Sequence, residues 1–340
     1  MKYRTLCWMI FGVFCVPLSA TAHHSMSIYD TDQQVTIDGT LTRVQWTNPH
    51  VYFYVEETLD NGDSFTWEIE GLGPASYRRI GWARDTVQVG EPMTIVGNPT
   101  RNIDRRGIYP ISIHRNQDQL FNSMEFMNVA LAATDASGSN TSGLSGKWMT
   151  QLKFELIVQF TEGVDLTNLT EDGARAFAEF EELTMNPAAN CELIAAPLLM
   201  IMPDMKQFAV GDNTVRIQGD YDGAERVIHL DRNSHAGAPV SWQGHSIGRW
   251  DGNTLEIDTA NFAENTMGNG WGIPSSSEKR MKETITLNED GSSFNYSFEV
   301  TDPVYMSAPF AGATDYKSSP NLEFSVDECN LESARTYIGN

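Results

Sequence analysis

Basic residues are scarce in this sequence. Only 23 Lys and Arg stand against 45 Asp and Glu, which gives a formal net charge of −22 over 340 residues. An acidic protein of this kind repels nucleic acid and anionic membrane surfaces, and the same charge favours solubility. We therefore expect no nucleic-acid partner.

Signatures of several enzyme classes are missing. The chain contains no GxGxxG, CxxC, HExxH or haem-attachment sequence, each of which carries a specific chemistry. Residues 244–248 (GHSIG) match the G-x-S-x-G nucleophile elbow, but a turn and a strand follow where the elbow requires a helix. No histidine lies after Ser246, although that class of hydrolase has the order Ser, acid, His. We expect a glycine-flanked strand there, and we favour a binding protein over an enzyme.

Long apolar runs are missing after the beginning of the chain. Residues 6–18 are apolar and uncharged, Lys2 and Arg4 precede them, and residues 20–22 (ATA) have the small-x-small form of a cleavage site. This pattern predicts a secretory signal peptide over residues 1–22 and a mature chain in the periplasm or outside the cell. Because a membrane span needs about 20 apolar residues, we expect a protein that is not embedded in a membrane.

Cysteine is also scarce, with four residues in the chain. Cys7 and Cys15 lie within the predicted signal peptide, so only Cys191 and Cys329 remain in the mature protein. Two cysteines in an oxidising compartment favour one disulfide, which would close a long loop and constrain the unfolded chain. Two unpaired buried thiols are the alternative.

Residues 23–118 have the pattern of a small β domain. Alternation with a period of two, β-branched and aromatic runs, and a hairpin signal at Asn61 and Gly62 indicate strands. Three predicted strands, a short helix over residues 75–81 and two more strands follow in the order of an OB-fold barrel. The predicted strands cover residues 35–44, 51–55, 64–70, 92–97 and 108–114.

Residues 144–340 form a second predicted domain, behind a linker over residues 119–143 that ends in a run rich in Ser, Gly and Asn. Short alternating runs separated by turns, the last of them residues 322–326, indicate an antiparallel barrel or sandwich. One short helix is predicted over residues 172–184. The sequence thus predicts a mainly β protein, in which an OB-fold-like five-stranded barrel precedes an antiparallel lipocalin-like barrel or sandwich.

Three motifs of the first domain occur together in a known family. They are residues 23–25 (HHS), 46–50 (WTNPH) and 81–82 (GW). The first domain resembles a family of secreted bacterial proteins whose domain has no known function, and the second half is similar to the β domain that commonly follows it. Ser275 departs from that pattern, because a His is expected after Pro274. The resemblance implies export and no established activity.

The start of the predicted mature chain suggests a metal site. Cleavage after Ala22 would give His23 an α-amine, which could chelate one ion together with the His23 imidazole. A second imidazole, from His50 or His24, completes the three-nitrogen arrangement that suits copper(II). The amine has a pKa of about 8 and must lose its proton to bind. The alternative is a solvated terminus and a turn histidine without a metal.

Other polar clusters suggest further sites. His229, Asp231, His235 and His245 are close in sequence and could form a second metal or acid–base site, or a surface cluster with no such role. Residues 256 and 258 are both acidic and share one face of a predicted strand, as a general acid–base pair would. In the first domain, an anionic ligand could contact three arginines, namely Arg101, Arg105 and Arg106. An aromatic ligand could instead stack on Tyr52 and Tyr54, which we expect to be exposed.

These observations predict an exported periplasmic binding protein that holds copper through the processed His23 with His50 and His24. Two alternatives from other classes stay open. The second domain could carry a small apolar ligand inside its barrel, or it could be a hydrolase or isomerase built around His235 and His245. The ligand would be a small molecule or a metal ion, and the sequence indicates no protein partner. The tryptophans available to line such a barrel are Trp148, Trp242, Trp250 and Trp271.

Overall fold

Two closed β-barrels follow one another along the chain, so the predicted fold class is confirmed, and the second domain is a barrel and not a sandwich. The signal peptide predicted over residues 1–22, His23 and His24 lie outside the described residues, as does most of the linker predicted over residues 119–143. The computed structural model describes residues 28–124, 143–151, 156 and 166–338.

The first barrel consists of five strands, with a sixth attached at its edge. Its elements are β1 (Val35–Gln45), β2 (Tyr52–Thr58), β3 (Ser64–Glu70), α1 (Pro74–Arg79), β4 (Pro92–Pro99), β5 (Gly107–Arg115) and β6 (Asp118–Asn122). The strands lie in the order β3-β2-β1-β4-β5, and the parallel pairing of β3 with β5 closes the barrel. Every predicted strand of this domain is present, and β6 was not predicted.

The strong curvature of β1 depends on one glycine and one bulge. A Cβ atom at Gly39 would lie 2.4 Å from the backbone oxygen of Glu56, so only glycine allows β2 to approach this closely. The pairing register with β2 then shifts between Leu41 and Arg43. Such a bulge bends a strand and increases its twist, which allows β1 to pair with both β2 and β4.

Helix α1 contributes its buried Tyr77 to the core of this barrel. The Tyr77 ring lies 4.9 Å from the ring of Trp82 and 5.8 Å from that of Phe53, measured between centroids. Aromatic pairs in this range add to the free energy of burial. The Gly-Trp motif that follows α1 therefore supplies a core residue.

The second barrel has nine strands and a separate hairpin. Its strands are β7 (Gly146–Thr150), β8 (Met205–Val210), β9 (Thr214–Gly219), β10 (Glu225–His229), β11 (His245–Asp251), β12 (Thr254–Ala260), β15 (Arg280–Leu287), β16 (Ser293–Thr301) and β17 (Phe310–Ser318), and the hairpin is β13 (Asn265–Gly270) with β14 (Ile273–Ser275). The order around the barrel is β10-β11-β12-β15-β16-β17-β7-β8-β9. All neighbours are antiparallel except β10 and β11. A parallel pair needs a long crossover, and residues 230–244 provide it.

The structure differs from the sequence prediction in two elements of this domain. The prediction of a strand over residues 322–326 is wrong, because those residues form no strand. The last barrel strand along the chain is β17. Gly312 of β17 fits beneath the Phe298 ring, where a Cβ atom would come within 2.9 Å. Four short α-helices with both ends among the described residues occur in residues 166–338, and the predicted helix over residues 172–184 is divided between the first two of them. They are α2 (Glu171–Ala178), α3 (Glu182–Met185), α4 (Leu198–Ile201) and α5 (Leu331–Ile338). Among the described residues, no helix is long and apolar enough to cross a membrane.

The chain after β17 returns to the first barrel and binds the turn at residues 46–50. The hydroxyl of Thr47 donates to the backbone oxygen of Glu328 at 2.5 Å, and the side-chain amide of Asn48 donates to that of Asp327 at 2.7 Å. Next to them, the predicted disulfide between Cys191 and Cys329 is confirmed. The C-terminal segment is thereby joined covalently to the second domain and by hydrogen bonds to the first.

Loss of the disulfide should destabilise the protein. Replacing both cysteines, Cys191→Ser with Cys329→Ser, opens a loop with a sequence separation of 138, and we expect a loss of about 2–5 kcal/mol in the free energy of unfolding. Urea unfolding followed by circular dichroism measures the change. An unchanged urea midpoint, with an unchanged slope, would contradict the expectation.

Lys279 is a fully buried cation with no carboxylate in contact. Its ammonium donates to the backbone oxygen of Ala196 at 2.8 Å and to that of Gly268, and it lies 4.6 Å from the centroid of the Phe262 ring. Burial lowers the pKa of Lys279 to about 7. In the unfolded chain, Lys279 has the ordinary pKa of about 10.4. Between about pH 7 and pH 10.4, the side chain is therefore protonated mainly in the unfolded state.

The pH dependence of stability follows from this difference. Because the unfolded state binds more protons, stability rises as pH rises from about 7 towards 10.4. From pH 7 to pH 9 we expect the free energy of unfolding to increase by about 2 kcal/mol more in the wild type than in Lys279→Met. Urea unfolding of both proteins at each pH tests this. Parallel pH profiles would show that Lys279 stays charged in the folded protein.

Candidate functional site

His50 is held by a buried carboxylate at the edge of the first barrel. Nδ1 of His50 lies 2.8 Å from Oε1 of Glu70, the last residue of β3, whose side chain is fully buried. The other carboxylate oxygen accepts a hydrogen bond from the hydroxyl of Tyr29 at 2.5 Å. These contacts form a chain from Tyr29 through Glu70 to His50.

The carboxylate selects one tautomer of the His50 ring. With its proton on Nδ1, next to Glu70, the ring presents Nε2 as the nitrogen with a lone pair. Histidines that bind metals commonly have a carboxylate next to their other ring nitrogen. The Glu70 contact therefore fits the prediction that His50 is a metal ligand, with Nε2 as the ligand atom.

Tyr29 brings the N-terminal part of the chain to the same place. The backbone of Tyr29 pairs with Thr100, and the amide of Arg101 donates to the backbone oxygen of Ile28 at 2.7 Å. His23 is six residues before Tyr29, which an extended chain covers in about 20 Å. The predicted mature terminus is therefore within reach of His50, while His23 and His24 themselves lie outside the described residues.

Two buried tyrosines surround Glu70. Burial, and next the charge of Glu70, raise the pKa of Tyr29 and of Tyr52 well above the ordinary value, so both phenols stay protonated. Tyr52 lies directly across from Glu70 in the pairing of β2 with β3. Its hydroxyl is buried and has no hydrogen-bond partner among the residues that the structure describes.

The outer face of β1 and β2 is covered by α5, which corrects one expectation. Tyr52 and Tyr54 were expected to be exposed, but they retain 1% and 8% of their accessible surface. The hydroxyl of Ser333 in α5 donates to the backbone oxygen of His50 at 2.8 Å. The guanidinium of Arg43 pairs with Glu332 at 2.8 Å. An OB-fold usually binds ligands on this face, and here the C-terminal helix occupies it.

The three arginines of the predicted anionic-ligand patch contact other groups of the protein. Arg105 donates to the backbone oxygen of Thr336 in α5 at 2.6 Å. Arg106 lies over the ring of Phe65, 3.5 Å from its centroid, and Arg101 lies 3.6 Å from Asp30. The three guanidinium groups face different partners, so they do not form one anion site.

In the second barrel, the crossover between β10 and β11 brings three histidines together. Nδ1 of His235 lies 2.9 Å from Nδ1 of His245, and the ring of His229 stacks on His245 with 4.9 Å between centroids. Nε2 of His235 lies 3.2 Å from Oδ2 of Asp258 on β12. Asp231, predicted to join this cluster, lies 3.7 Å from Arg232 instead.

The cluster lies on the outer wall of the barrel, between two grooves. The larger groove has a volume of about 710 Å³ and includes His235, Glu256 and Asp258. The smaller groove has a volume of about 420 Å³ and includes His229 and His245. Glu256 and Asp258 therefore share a face as predicted, and Asp258 orients His235. Among the described residues, no three His, Cys, Asp or Glu side chains are placed to hold a metal ion.

The interior of the second barrel is filled by side chains, which counts against an apolar ligand inside it. The Phe294 ring lies 4.8 Å from Trp148 and 4.4 Å from Tyr316, measured between centroids. The other tryptophans do not line a shared space. Trp250 is exposed, Trp242 lines the smaller groove, and the indole of Trp271 donates to Glu182 at 3.0 Å.

Ser246 of the G-x-S-x-G sequence belongs to this filled interior. It lies within β11, fully buried, and its hydroxyl accepts hydrogen bonds from the guanidinium of Arg226 at 2.9 and 3.0 Å. Arg226 forms a bidentate ion pair with the buried Glu283, which also accepts from the hydroxyl of Tyr296 at 2.8 Å. Ser246 therefore has the strand position expected from sequence, and its role is to solvate a buried ion pair.

Sequence reasoning missed Glu70, Tyr29 and the link between His235 and Asp258. Glu70 was placed correctly at the end of a strand, but one acidic residue among 45 carries no signal of its own. A pairing register that sets Glu70 opposite Tyr52 could have indicated a buried carboxylate. The contact of His235 with Asp258 requires the crossover geometry, which spacing does not reveal.

Comparison with known proteins gives a family-model match in the first part of the chain. Residues 12–109 match the model of a family described as a family of unknown function (DUF6152). No curated protein matches the chain. One solved structure, described as the crystal structure of yeast Stn1 and Ten1, shares 11% identity and has a TM-score of 0.17. It is matched over 28% of this chain and 47% of its own, so this chain spans about half of it, and a likeness at that score supports no argument.

The buried ion pair should be sensitive to the loss of one partner. Glu283→Gln leaves the Arg226 charge buried without a counter-ion, and we expect a loss of about 3–5 kcal/mol in the free energy of unfolding. The double variant Arg226→Met with Glu283→Leu removes both charges and should lose less than the single variant. Urea unfolding at pH 7 measures both. A single variant as stable as the wild type would show that the pair is not needed.

Proposed function

We propose that this protein is an exported periplasmic binding protein that holds one copper(II) ion. The ligands are the α-amine and imidazole of His23 and Nε2 of His50, with His24 as a further nitrogen. The ligand class is thus a metal ion, and no catalytic step is assigned to it. The signal peptide proposed for residues 1–22 is part of this function, because the α-amine of His23 exists only after its removal.

The observation that carries the proposal is the chain of contacts from Tyr29 to His50. Oε1 of Glu70 lies 2.8 Å from Nδ1 of His50, and Oε2 accepts from Tyr29 at 2.5 Å. The carboxylate orients the imidazole, as outer-shell carboxylates do in metal sites. Tyr29 is six residues after His23, a separation that lets an extended terminus reach the same imidazole.

The donor set suits copper(II) better than other metals. Three nitrogens in a T-shape match the tetragonal geometry of copper(II), which also forms the most stable complexes of the divalent first-row series. Binding releases the proton of the α-amine, so affinity should rise with pH up to about 8. The described residues do not complete a three-ligand site by themselves, so the site depends on the N-terminal nitrogens.

Copper titration of two forms of the protein tests the proposal. One form begins at His23, and the other is the same chain acetylated at the His23 α-amine, which converts that amine into an amide and adds no new amine. We expect the first form to bind copper(II) at least about 10-fold more tightly, because acetylation removes one nitrogen ligand. Isothermal titration calorimetry gives the affinity, and electron paramagnetic resonance gives the number of nitrogen ligands.

Three variants separate the roles of the first-barrel residues. His50→Gln should remove one nitrogen from the resonance spectrum, and Glu70→Gln should lower affinity by about 10-fold while the ligand remains. His114→Gln is the matched control, because His114 lies in the same barrel and bonds Ser112 at 3.0 Å. Equal affinity of the two N-terminal forms would refute the proposal, and an unchanged spectrum in His50→Gln would exclude His50 as the second imidazole.

A further inference from the structure

The smaller groove on the wall of the second barrel has the composition of a small-molecule site. Its volume of about 420 Å³ lies within the range of such sites. The apolar part of its lining comes from the crossover, from β10 and from the segment before α4. These residues are Leu193, Ile194, Val227, Pro239 and Trp242. His229 and His245 are among its polar groups, which also include Glu225, Arg226, Ser241 and Gln243.

The contacts of His245 assign a tautomer to its ring. The carboxylate of Asp258 can only accept a hydrogen bond, so Nε2 of His235 must carry the proton that it donates. Nδ1 of His235 is then an acceptor. Nδ1 of His245, 2.9 Å away, must then be the donor of that hydrogen bond. Nε2 of His245 is left as an unprotonated acceptor, and it has no hydrogen bond to any residue in the described part of the chain.

We propose that this groove binds a small neutral aromatic molecule whose hydroxyl group donates a hydrogen bond to Nε2 of His245. The aromatic body would lie against Trp242 and the apolar lining, and the hydroxyl would bind the ring nitrogen of His245 that its contact with His235 leaves as an acceptor. Asp258 and His235 are positioning residues in this site, because they act only through the tautomer of His245. The site is independent of the copper site proposed above.

The charges around His245 make this acceptor dependent on pH. The groups that face it are His229 on β10, His235 and Arg232 on the crossover, and Asp258 on β12, while Glu225 lies at the rim of the groove. Burial, and next the neighbouring histidines, lower the pKa of His245. The ring is therefore neutral at pH 7 to 8 and accepts a hydrogen bond, and at acidic pH it is protonated and can only donate.

A pair of matched probes tests the proposal on the full processed protein. 2-Naphthol carries the donor hydroxyl, and 2-methoxynaphthalene has the same rings without a donor. At pH 8 we expect 2-naphthol to bind about 3- to 10-fold more tightly, which corresponds to one neutral hydrogen bond. The preference should decrease as the pH is lowered and disappear where His245 is protonated, because the protonated ring no longer accepts. Isothermal titration calorimetry measures both affinities, and circular dichroism verifies the fold at each pH.

Two variants and one control locate the interaction. His245→Phe keeps a ring against His229 but removes the acceptor, so both probes should bind equally. Asp258→Asn changes a side chain that is 60% exposed, and it should reduce the preference for 2-naphthol because His235 loses its orienting carboxylate. His114→Gln, in the first barrel, should leave the preference unchanged.

Several outcomes would overturn the proposal. They are no binding of either probe up to its solubility limit, equal binding of the two probes at pH 8, or an unchanged preference in His245→Phe. None of these results bears on copper binding, because the probes and the metal are measured separately.

Discussion

The contact between the C-terminal segment and the turn at residues 46–50 determines how the first domain presents its surface. Thr47 and Asn48 bind the backbone just before Cys329, and the disulfide joins the same segment to the second domain. Helix α5 is thereby fixed over β1 and β2. Tyr52 and Tyr54 on that face are buried, and α5 contacts the same side of the barrel through Arg43 and His50.

The covered face explains the unusual environment of Glu70. A carboxylate taken out of water is costly unless it is hydrogen-bonded or paired, and Glu70 has its two oxygens next to His50 and Tyr29. The same holds inside the second barrel, where the buried Glu283 pairs with Arg226 and accepts a hydrogen bond from Tyr296. Side chains fill the described interior of the second barrel. Space for a ligand therefore remains at the loop ends and on the outer wall.

The first barrel could be predicted from sequence because its strands are runs of β-branched and aromatic residues, partly alternating with polar ones, between clear turn signals. Strand β17 could not, since its inward residues are Thr314, Tyr316 and Ser318, and Gly312 has no side chain to show a pattern. Residues 322–326 alternate equally well, yet no strand pairs with them in the described structure. His50 and the histidines near 235 were identified by their residue type. Their partners Glu70 and Asp258 were not, because a contact across strands depends on register and crossover geometry.

The position of His50 connects the two domains physically. Ser333 of α5 bonds the backbone oxygen of His50, while Glu70 lies next to its ring, so both the backbone and the imidazole are fixed before any metal arrives. A ligand held in this way loses little conformational freedom on binding, which favours affinity. Because α5 is held in turn by the Cys191–Cys329 bond, the orientation of this imidazole depends on a covalent link that the second domain provides. A metal site at the N-terminus would therefore be a property of the whole chain and not of the first barrel alone.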